Sequence, residues 1–519
     1  MTVKALIKTS QYYDSVSLML VARELSQLDG VDDAAVVMAT DANKSILSAA
    51  GLLTEEISAA SANDLVIAVS TADGEVADEA LRTAVGLLQK KTTPSESGEF
   101  RPRTIRGALS AHPDANLAVI SVAGAYAADE TWHALTRGLH VLLFSDNVSL
   151  ADEIALKGYA RDHSLLMMGP GAGTALLNGV ALGFANAVPA GPVGIVSAAG
   201  TGLQEVSTLL ARLGVGITQG LGTGGRDLKR EVGGIMMLAA IHALQEDPAT
   251  EVIVLISKPP SDEVAAAILE QAGAVDKPTV VCFMGADTET RAQLSARTLQ
   301  GAAWLAAQAS GAEIGTVEAL LAAEHTQLSD QAKQHKGKLH PDQRYLRGLF
   351  SGGTLCYEAQ VIWRDMLSEP VYSNAPLPGE AALTDSSQSQ GHTAVDLGEE
   401  EFTIGRPHPM IDNDLRVRRL LQEAVDPQVG VIMLDVVLGF GAHPDPASEL
   451  VPAIQGTRQL AGAAGRDLIL IANVTGTEAD PQVRSRQVAA LEQAGVIVCE
   501  SNAAAARLAA MIIQRQEGP

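Results

Sequence analysis

Short runs of β-branched and aliphatic residues alternate along the chain with longer amphipathic or alanine-rich stretches, the sequence form of βαβ units on a parallel sheet. Strands are expected at residues 34–38, 64–69, 117–122, 140–144, 194–197, 252–256 and 279–283, with helical patterns such as 127–135 and 202–213 between them. Polar stretches at 326–344 and 368–392, and a third at 91–103, read as linker or surface loop. After Gly391 the rhythm resumes, with strands at 430–435, 467–472 and 495–498 and helices at 451–464, 481–493 and 502–514. That is a separate C-terminal α/β unit. No repeat of roughly 20 to 50 residues appears, which argues against a solenoid or propeller.

Length changes the picture first: 519 residues allow three or four domains at roughly 150 residues each. With 61 acidic against 37 basic side chains the net charge is −24, so nucleic acid would be repelled along most of the surface. Only 3% of residues are aromatic while 48 are glycine, so the cores are built from small aliphatic side chains and close backbones. Cys282, Cys356 and Cys499 stand far apart with no CxxC spacing, which signals neither a disulfide framework nor a metal site. No apolar run reaches the roughly 18 to 20 residues that span a bilayer. The first residues lack the apolar core and cleavage site of a signal peptide, so no membrane and a cytoplasmic address are expected.

Candidate chemistry sits in glycine loops at strand ends. In Gly194-Ile-Val-Ser-Ala-Ala-Gly-Thr-Gly-Leu-Gln-Glu205 a buried strand stops at Ser197 and a helix starts near Gly202. Free N–H groups and a positive dipole there suit phosphate, held by Ser197, Gly200, Thr201 and Gly202; the plain reading is a tight βα turn. In the run from Asp435 to Pro446, Gly439, Phe440, Gly441 and Ala442 lead to His443 and two prolines suited to a first helical turn. His443 is a candidate phosphate ligand or proton carrier, or else a loop histidine bonded to backbone. Arg226, in Gly220-Leu-Gly-Thr-Gly-Gly-Arg-Asp-Leu228, is a candidate anion clamp, or is paired with Asp227. Met168-Gly-Pro-Gly-Ala-Gly-Thr174 and Ser351-Gly-Gly-Thr354 are further loops of this kind, the second beside Cys356. Such loops, without metal-ligand clusters, favour small anions or nucleotides at the carboxyl ends of parallel strands.

These residues also carry a resemblance. From about Asn116 to Gly285 the chain resembles the α-subunit of succinyl-CoA synthetase, through Met168-Gly-Pro170, Gly194-Ile-Val-Ser197 with Gly200-Thr201, Glu246-Asp-Pro-Ala-Thr-Glu251 and Lys277-Pro278. From about Leu349 to Ile513 it resembles the carboxy-terminal domain of that enzyme's β-subunit, with Val395-Asp-Leu-Gly398 and Leu438-Gly-Phe-Gly441 at matching places. Together with Tyr13-Asp-Ser-Val-Ser17, Leu143-Phe-Ser-Asp-Asn-Val-Ser149, Ser257-Lys-Pro-Pro260 and Pro407-His-Pro-Met-Ile-Asp412, the arrangement is similar to the FdrA family of acyl-CoA-synthetase-like proteins.

The resemblance implies an α/β chain with a Rossmann-like, CoA-binding-type domain over residues 1–188. Two flavodoxin-like ligase domains on parallel sheets follow over 189–325 and 345–519, joined by a linker at 326–344, with no ATP-grasp domain. Departures from the synthetases matter as much. Their phosphohistidine segment corresponds to Gly285-Ala-Asp-Thr-Glu-Thr-Arg291, which has no histidine, and their orienting carboxylate corresponds to a segment that here holds Lys258. Their CoA loop is replaced by Thr9-Ser-Gln-Tyr-Tyr-Asp-Ser-Val-Ser17. The implied activity is that of a subunit of a phosphate-dependent carbamoyltransferase: oxalurate plus phosphate giving oxamate and carbamoyl phosphate, in purine nitrogen use. Inorganic phosphate is then a substrate, with Lys258, Arg226 and His443 as catalytic candidates. No particular cofactor is implied, and CoA is an open second ligand. Further enzyme subunits are expected as partners, with a homo-oligomer also open. The alternatives are an acyl-CoA synthetase that takes its nucleotide chemistry from a partner chain, and a non-catalytic metabolite sensor.

Overall fold

The computed structural model describes residues 2–9, 11, 13, 15–40, 43–44, 47–48, 50–62, 64–92, 102–122, 124–286, 294–403 and 407–514. It divides into two compact units, one of residues 1–115, 121–126 and 399–408, the other of 116–120, 127–398 and 409–519.

In the first unit the strand Leu65–Thr71 lies between Thr2–Lys8 and Val31–Met38 and is antiparallel to both, Ala68 pairing with Ala5 on one side and Ala35 on the other. Side chains alternate between two cores. Val36, Leu65, Ile67 and Val69 meet Leu18, Val21, Leu25, Ala80, Ala84 and Leu88 from the helices Ser15–Ser26 and Gly74–Thr92. Ala35, Val37, Val66 and Ala68 meet Leu47, Leu52 and Ile57, the last on the helix Glu55–Ala59, whose first turn is capped by Thr54. The expected parallel Rossmann-like sheet across residues 1–188 is therefore corrected for residues 2–71, while within 117–168 the strands are parallel. A central strand covered on both faces reads as one apolar run whichever way its neighbours point.

The second unit holds a parallel three-stranded sheet of Leu117–Ile120, His140–Leu143 and Met167–Met168. Its seven-stranded sheet runs Leu294–Ser295, Thr279–Phe283, Val252–Ser257, Ala190–Ser197, Ile217–Gly222, Thr174–Leu177 and Val180–Gly183. The first five are parallel, and the hairpin at the far edge is antiparallel. The six-stranded sheet, parallel throughout, runs Val371–Ser373, His392–Asp396, Tyr345–Phe350, Val429–Val437, Ile469–Thr475 and Ile497–Cys499. Counted in chain order from Ala190 the seven-stranded sheet contains the sequence 2-1-3-4-5, the flavodoxin-like order, and the six-stranded sheet, counted from Tyr345, has the same order once its short edge strand Val371–Ser373 is set aside.

One apolar cluster runs through both sheets, joining Ile195, Val254 and Cys282 to Leu355, Trp363, Met433 and Ile471. The helix Asn502–Ile513, with ten of its residues buried, lies within that core. The expected linker at 326–344 is also corrected, because residues to 336 belong to the helix Val317–Lys336. Its polarity comes from exposure: Leu328 and Ala332 are the residues it buries, Thr316 caps it, and Lys333, His335 and Lys336 sit favourably at its negative end.

Candidate functional site

Each flavodoxin-ordered sheet adds strands to both sides of its first strand. A crevice therefore opens at the carboxyl ends between Ala190–Ser197 and Val252–Ser257 in one, and between Tyr345–Phe350 and Val429–Val437 in the other. The two crevices adjoin. A Cβ placed on Gly352 would lie 2.8 Å from Thr201 Cγ2, and one on Gly202 would lie 3.0 Å from Thr354 Cγ2. Glycine at these positions lets the first turns of the helices Gly200–Arg212 and Gly353–Met366 touch. Neither N-cap, Ala199 or Gly352, supplies a side-chain cap of its own, so the positive ends of two helices lie together, the second with its N-cap N–H taken by Asp435.

Charged groups surround this junction. Lys258 follows the strand Val252–Ser257, is exposed, and holds its ammonium 5.4 Å from the ring centroid of Tyr357 on the second helix. Asp435 accepts from Ser351 N and Gly352 N, both at 2.8 Å, and from Ser351 Oγ at 3.0 Å. Arg416, 3.3 Å away, balances that carboxylate. Asp396 ends the strand His392–Asp396 and accepts from Gly398 N at 2.9 Å. A Cβ on Gly353 would lie 2.5 Å from its Oδ2. Cys356 is buried beside them. Burial, reinforced by Asp396 and opposed by Lys258, pushes its thiol well above the ordinary range, so it stands as a neutral thiol rather than a nucleophile.

The structure brings Gly200, Thr201, Gly202 and Lys258 together, along with Ser197 at the strand end. The Ser197 hydroxyl, however, donates to Ala199 O at 2.6 Å and accepts from Ala199 N at 3.1 Å, so it shapes the turn.

The second predicted loop spends its donors within the protein. Gly439 N–H goes to Gln482 Oε1 at 3.0 Å and Phe440 N–H to Ala185 O at 2.8 Å. Gln482 Nε2 holds Gly439 O and His443 O. Gly439 has φ +116 and its Cβ position is 2.5 Å from Ala185 O, so glycine there serves the packing of this loop on residues 184–186. Gly441 meets Phe184 in the same way, and Ala442 completes the turn before His443.

His443 itself is buried, and both ring nitrogens are engaged. Nδ1 accepts from Asp445 N at 3.0 Å, so Nε2 carries the hydrogen and faces Glu449 Oε1 at 2.9 Å. That corrects the phosphate or proton-carrier expectation in favour of a loop-fixing histidine. Arg226 is corrected likewise. It pairs with Glu153 at 2.8 Å and donates to Val148 O, beside a buried lysine, Lys157, that binds Glu153 and Asp227. Asp227 in turn accepts from Met236 N and Met237 N.

Asp396 and Asp435 were not among the expected site residues; the available signal was one carboxylate near the carboxyl end of a buried strand, Asp396 at the end of His392–Asp396 and Asp435 two residues before the end of Val429–Val437. Residues 287–291 of the segment that lacks the histidine lie outside the described residues, as do residues 10, 12 and 14 of the altered N-terminal loop. An open depression of about 430 Å³, lined by Lys338, His340, Arg466 and Asp467 among others, belongs to the opposite edge, where Tyr345–Phe350 and Ile469–Thr475 begin.

Three family models match the chain in order: AllF, heavy metal-associated domain, over residues 1–103; CoA binding domain over 190–285; and CoA-ligase over 349–512. Residues 1–103 contain neither cysteine nor histidine, so the thiolates and imidazoles of a heavy-metal site are missing there and methionine thioethers are the soft donors left. The α-subunit of an ADP-forming succinate–CoA ligase from Methanothermobacter thermautotrophicus is 26% identical over 178 residues, which are 33% of this chain and 58% of that one. A solved dinucleotide forming acetyl-coenzyme A synthetase 1 from Ca. Korarchaeum cryptofilum, in complex with phosphate and ADP, is 15% identical. That alignment covers 81% of this chain and 87% of that one, at a TM-score of 0.31. The uncharacterized protein YahF of Escherichia coli (strain K12) is 44% identical over 520 residues, 100% of each chain. Identity along its whole length places the chain in the family of YahF, and its own domains are of the CoA-binding and CoA-ligase types found in acyl-CoA ligases.

Proposed function

We propose that the chain binds inorganic phosphate, or the phosphate of an acyl or carbamoyl phosphate, where its two switch points adjoin, and that it serves acyl or carbamoyl transfer. The observation that carries this is the contact of two uncapped helix N-termini at Thr201 and Gly352, with Lys258 reaching from one domain to Tyr357 of the other. Backbone N–H groups of residues 200–202 take phosphate oxygens, and Lys258 adds a mobile charge. A phosphate oxygen attacks the carbonyl carbon of the donor and the same N–H groups stabilise the developing oxyanion. The bond to the leaving nitrogen or sulfur then breaks, and the leaving atom takes the proton given up by the attacking hydrogen phosphate.

Two donors are distinguished by different observations. The CoA-binding and CoA-ligase matches support a thioester, and thus an acyl-CoA synthetase working with a partner chain. The absence of histidine from residues 285–291 and the lysine at 258 support a phosphate-using carbamoyl transfer of the FdrA kind, with oxalurate as donor. The test mixes the purified chain with its co-purifying subunits and follows two products: carbamoyl phosphate from oxalurate and phosphate, and free CoA from an acyl-CoA and phosphate. Phosphate-dependent turnover that Lys258→Ala weakens through phosphate KM supports the reading. Turnover indifferent to phosphate removes it.

A further inference from the structure

One turn beyond the touching N-termini, the same two helices bring a second pair of groups together. Glu205, on Gly200–Arg212, and Glu358, on Gly353–Met366, are each about 1% exposed. Both bind Asn502 at the start of the helix Asn502–Ile513: Glu205 Oε1 accepts its backbone N–H at 3.0 Å, and Glu358 Oε2 accepts its side-chain Nδ2 at 2.8 Å. The remaining oxygens reach across the domains as well. Glu205 Oε2 accepts from Thr475 Oγ1 at 2.5 Å, and Glu358 Oε1 accepts from Leu299 N at 2.7 Å.

The cations that face this junction, Arg507 toward Glu358 and Arg212 toward Glu205, act on the pair through their charge alone and form their ion pairs with other carboxylates. Arg507, on the helix Asn502–Ile513, pairs with Glu324 of Val317–Lys336 at 2.5 Å and donates to Gln300 Oε1. Arg212 pairs with Glu500 at 2.9 Å. The strand Thr279–Phe283 contributes Cys282, whose thiol is pushed up by burial and by Glu358, so it stays neutral. Two buried carboxylates thus share one asparagine with no cation bound to either among the described residues, an arrangement in which both cannot ionise without cost.

We infer that Glu205 and Glu358 form a proton-linked latch between the two flavodoxin-ordered domains, closed when Glu358 carries a proton and strained when it does not. Burial, followed by the charge of Glu205, pushes the Glu358 carboxyl up to about 7, against hydrogen bonds from Asn502 and Leu299 and the charge of Arg507, which favour the ionised form. An acid raised in the folded state is held most tightly closed below its unfolded value and loses that advantage as pH climbs to the folded one. The window is therefore about pH 4.5 to 7, with the full strain present above it.

The latch stands independently of the phosphate reading, since it concerns the joint and not the ligand. Its test measures urea unfolding of the full chain and of Glu358→Gln at pH 5.5 and 8.5. The folded-to-unfolded ratio of the variant over wild type should rise by about 30-fold between these pH values, from the tenfold per unit that links pKa to stability. A ratio that does not move overturns the latch.

Infrared difference spectroscopy on the wild type needs no variant. A protonated buried carboxylic acid band should vanish with a midpoint near neutrality, and its absence at pH 6 overturns the proposal. Hydrogen exchange gives the domain readout. Protection of the Leu299 and Asn502 N–H groups, corrected for intrinsic rates, should fall together above pH 7, whereas a merely structural pair leaves it unchanged.

Discussion

Replacing Gly352 by alanine probes the contact on which the site depends. Gly352 has φ −109 and ψ 113, a conformation that alanine adopts freely, so the backbone brings no penalty. The new methyl would lie 2.8 Å from Thr201 Cγ2, 2.9 Å from Oγ1 and 3.0 Å from Cβ, too close without movement of one helix start or the other. Overpacking of this kind costs about 1–3 kcal/mol, offset by about 0.4–1 kcal/mol from the smaller entropy of the unfolded chain. A net loss of about 1–2 kcal/mol is expected in urea unfolding. Thr201→Ala removes two of the three atoms in the way and on its own should cost about 0.5 kcal/mol. In the double variant most of the Gly352→Ala loss should be recovered, giving a coupling of about 1–2 kcal/mol. If the two losses instead add to within about 0.5 kcal/mol, Thr201 and Gly352 are not in contact and the account of adjoining switch points fails.

Lys157→Met should cost about 3–5 kcal/mol in chemical denaturation, because Glu153 and Asp227 would be left buried without the ammonium that each binds; a loss under 1 kcal/mol would show that the cluster is hydrated. His392 accepts from Leu346 N, and burial together with Arg347 pushes it down to about 4. It therefore favours folding above its unfolded pKa and withdraws that contribution as pH falls toward 4, opposing Glu358 over nearly the same range. Glu358→Gln should uncover this as an acid-side loss of about 2–3 kcal/mol between pH 7 and 4.5, and adding His392→Gln should abolish it. His443→Ala should lower stability by about 1–3 kcal/mol through the orphaned Asp445 N–H and the lost contact with Glu449, while phosphate affinity stays unchanged. Lost affinity would return His443 to the site.

The parallel strands of the second unit were legible because Val252–Ser257, Thr279–Phe283 and Val429–Val437 are buried throughout, and continuous burial leaves an apolar run with few readings. Strand direction was not legible in the first unit, where Leu65–Thr71 shows the same unbroken burial inside an antiparallel sheet. Thr2–Lys8 escaped notice because two lysines break its run. The loop at 197–202 was visible from its glycines. Whether its hydroxyls and the N–H groups of its counterpart faced a ligand or the protein was not, since Gln482 and Ala185, which occupy the second loop, lie 43 and 255 residues in sequence from the groups they bind. Lys258 stood out only against the synthetase pattern. The Glu205–Glu358 pair left no local signal, because glutamate on an amphipathic helix ordinarily faces water.

The central claim is that an anion binds where the two uncapped helix N-termini touch. The most direct measurement is a thermal-unfolding titration of the full chain with phosphate at constant ionic strength, beside Lys258→Ala and with CoA as a parallel ligand. A ligand that binds the folded state alone stabilises it by about 2.7 kcal/mol at a hundred times its Kd. The account predicts a saturable rise in Tm with phosphate that shifts to higher concentrations in Lys258→Ala. No rise with phosphate, or a rise that Lys258→Ala leaves in place, would contradict it.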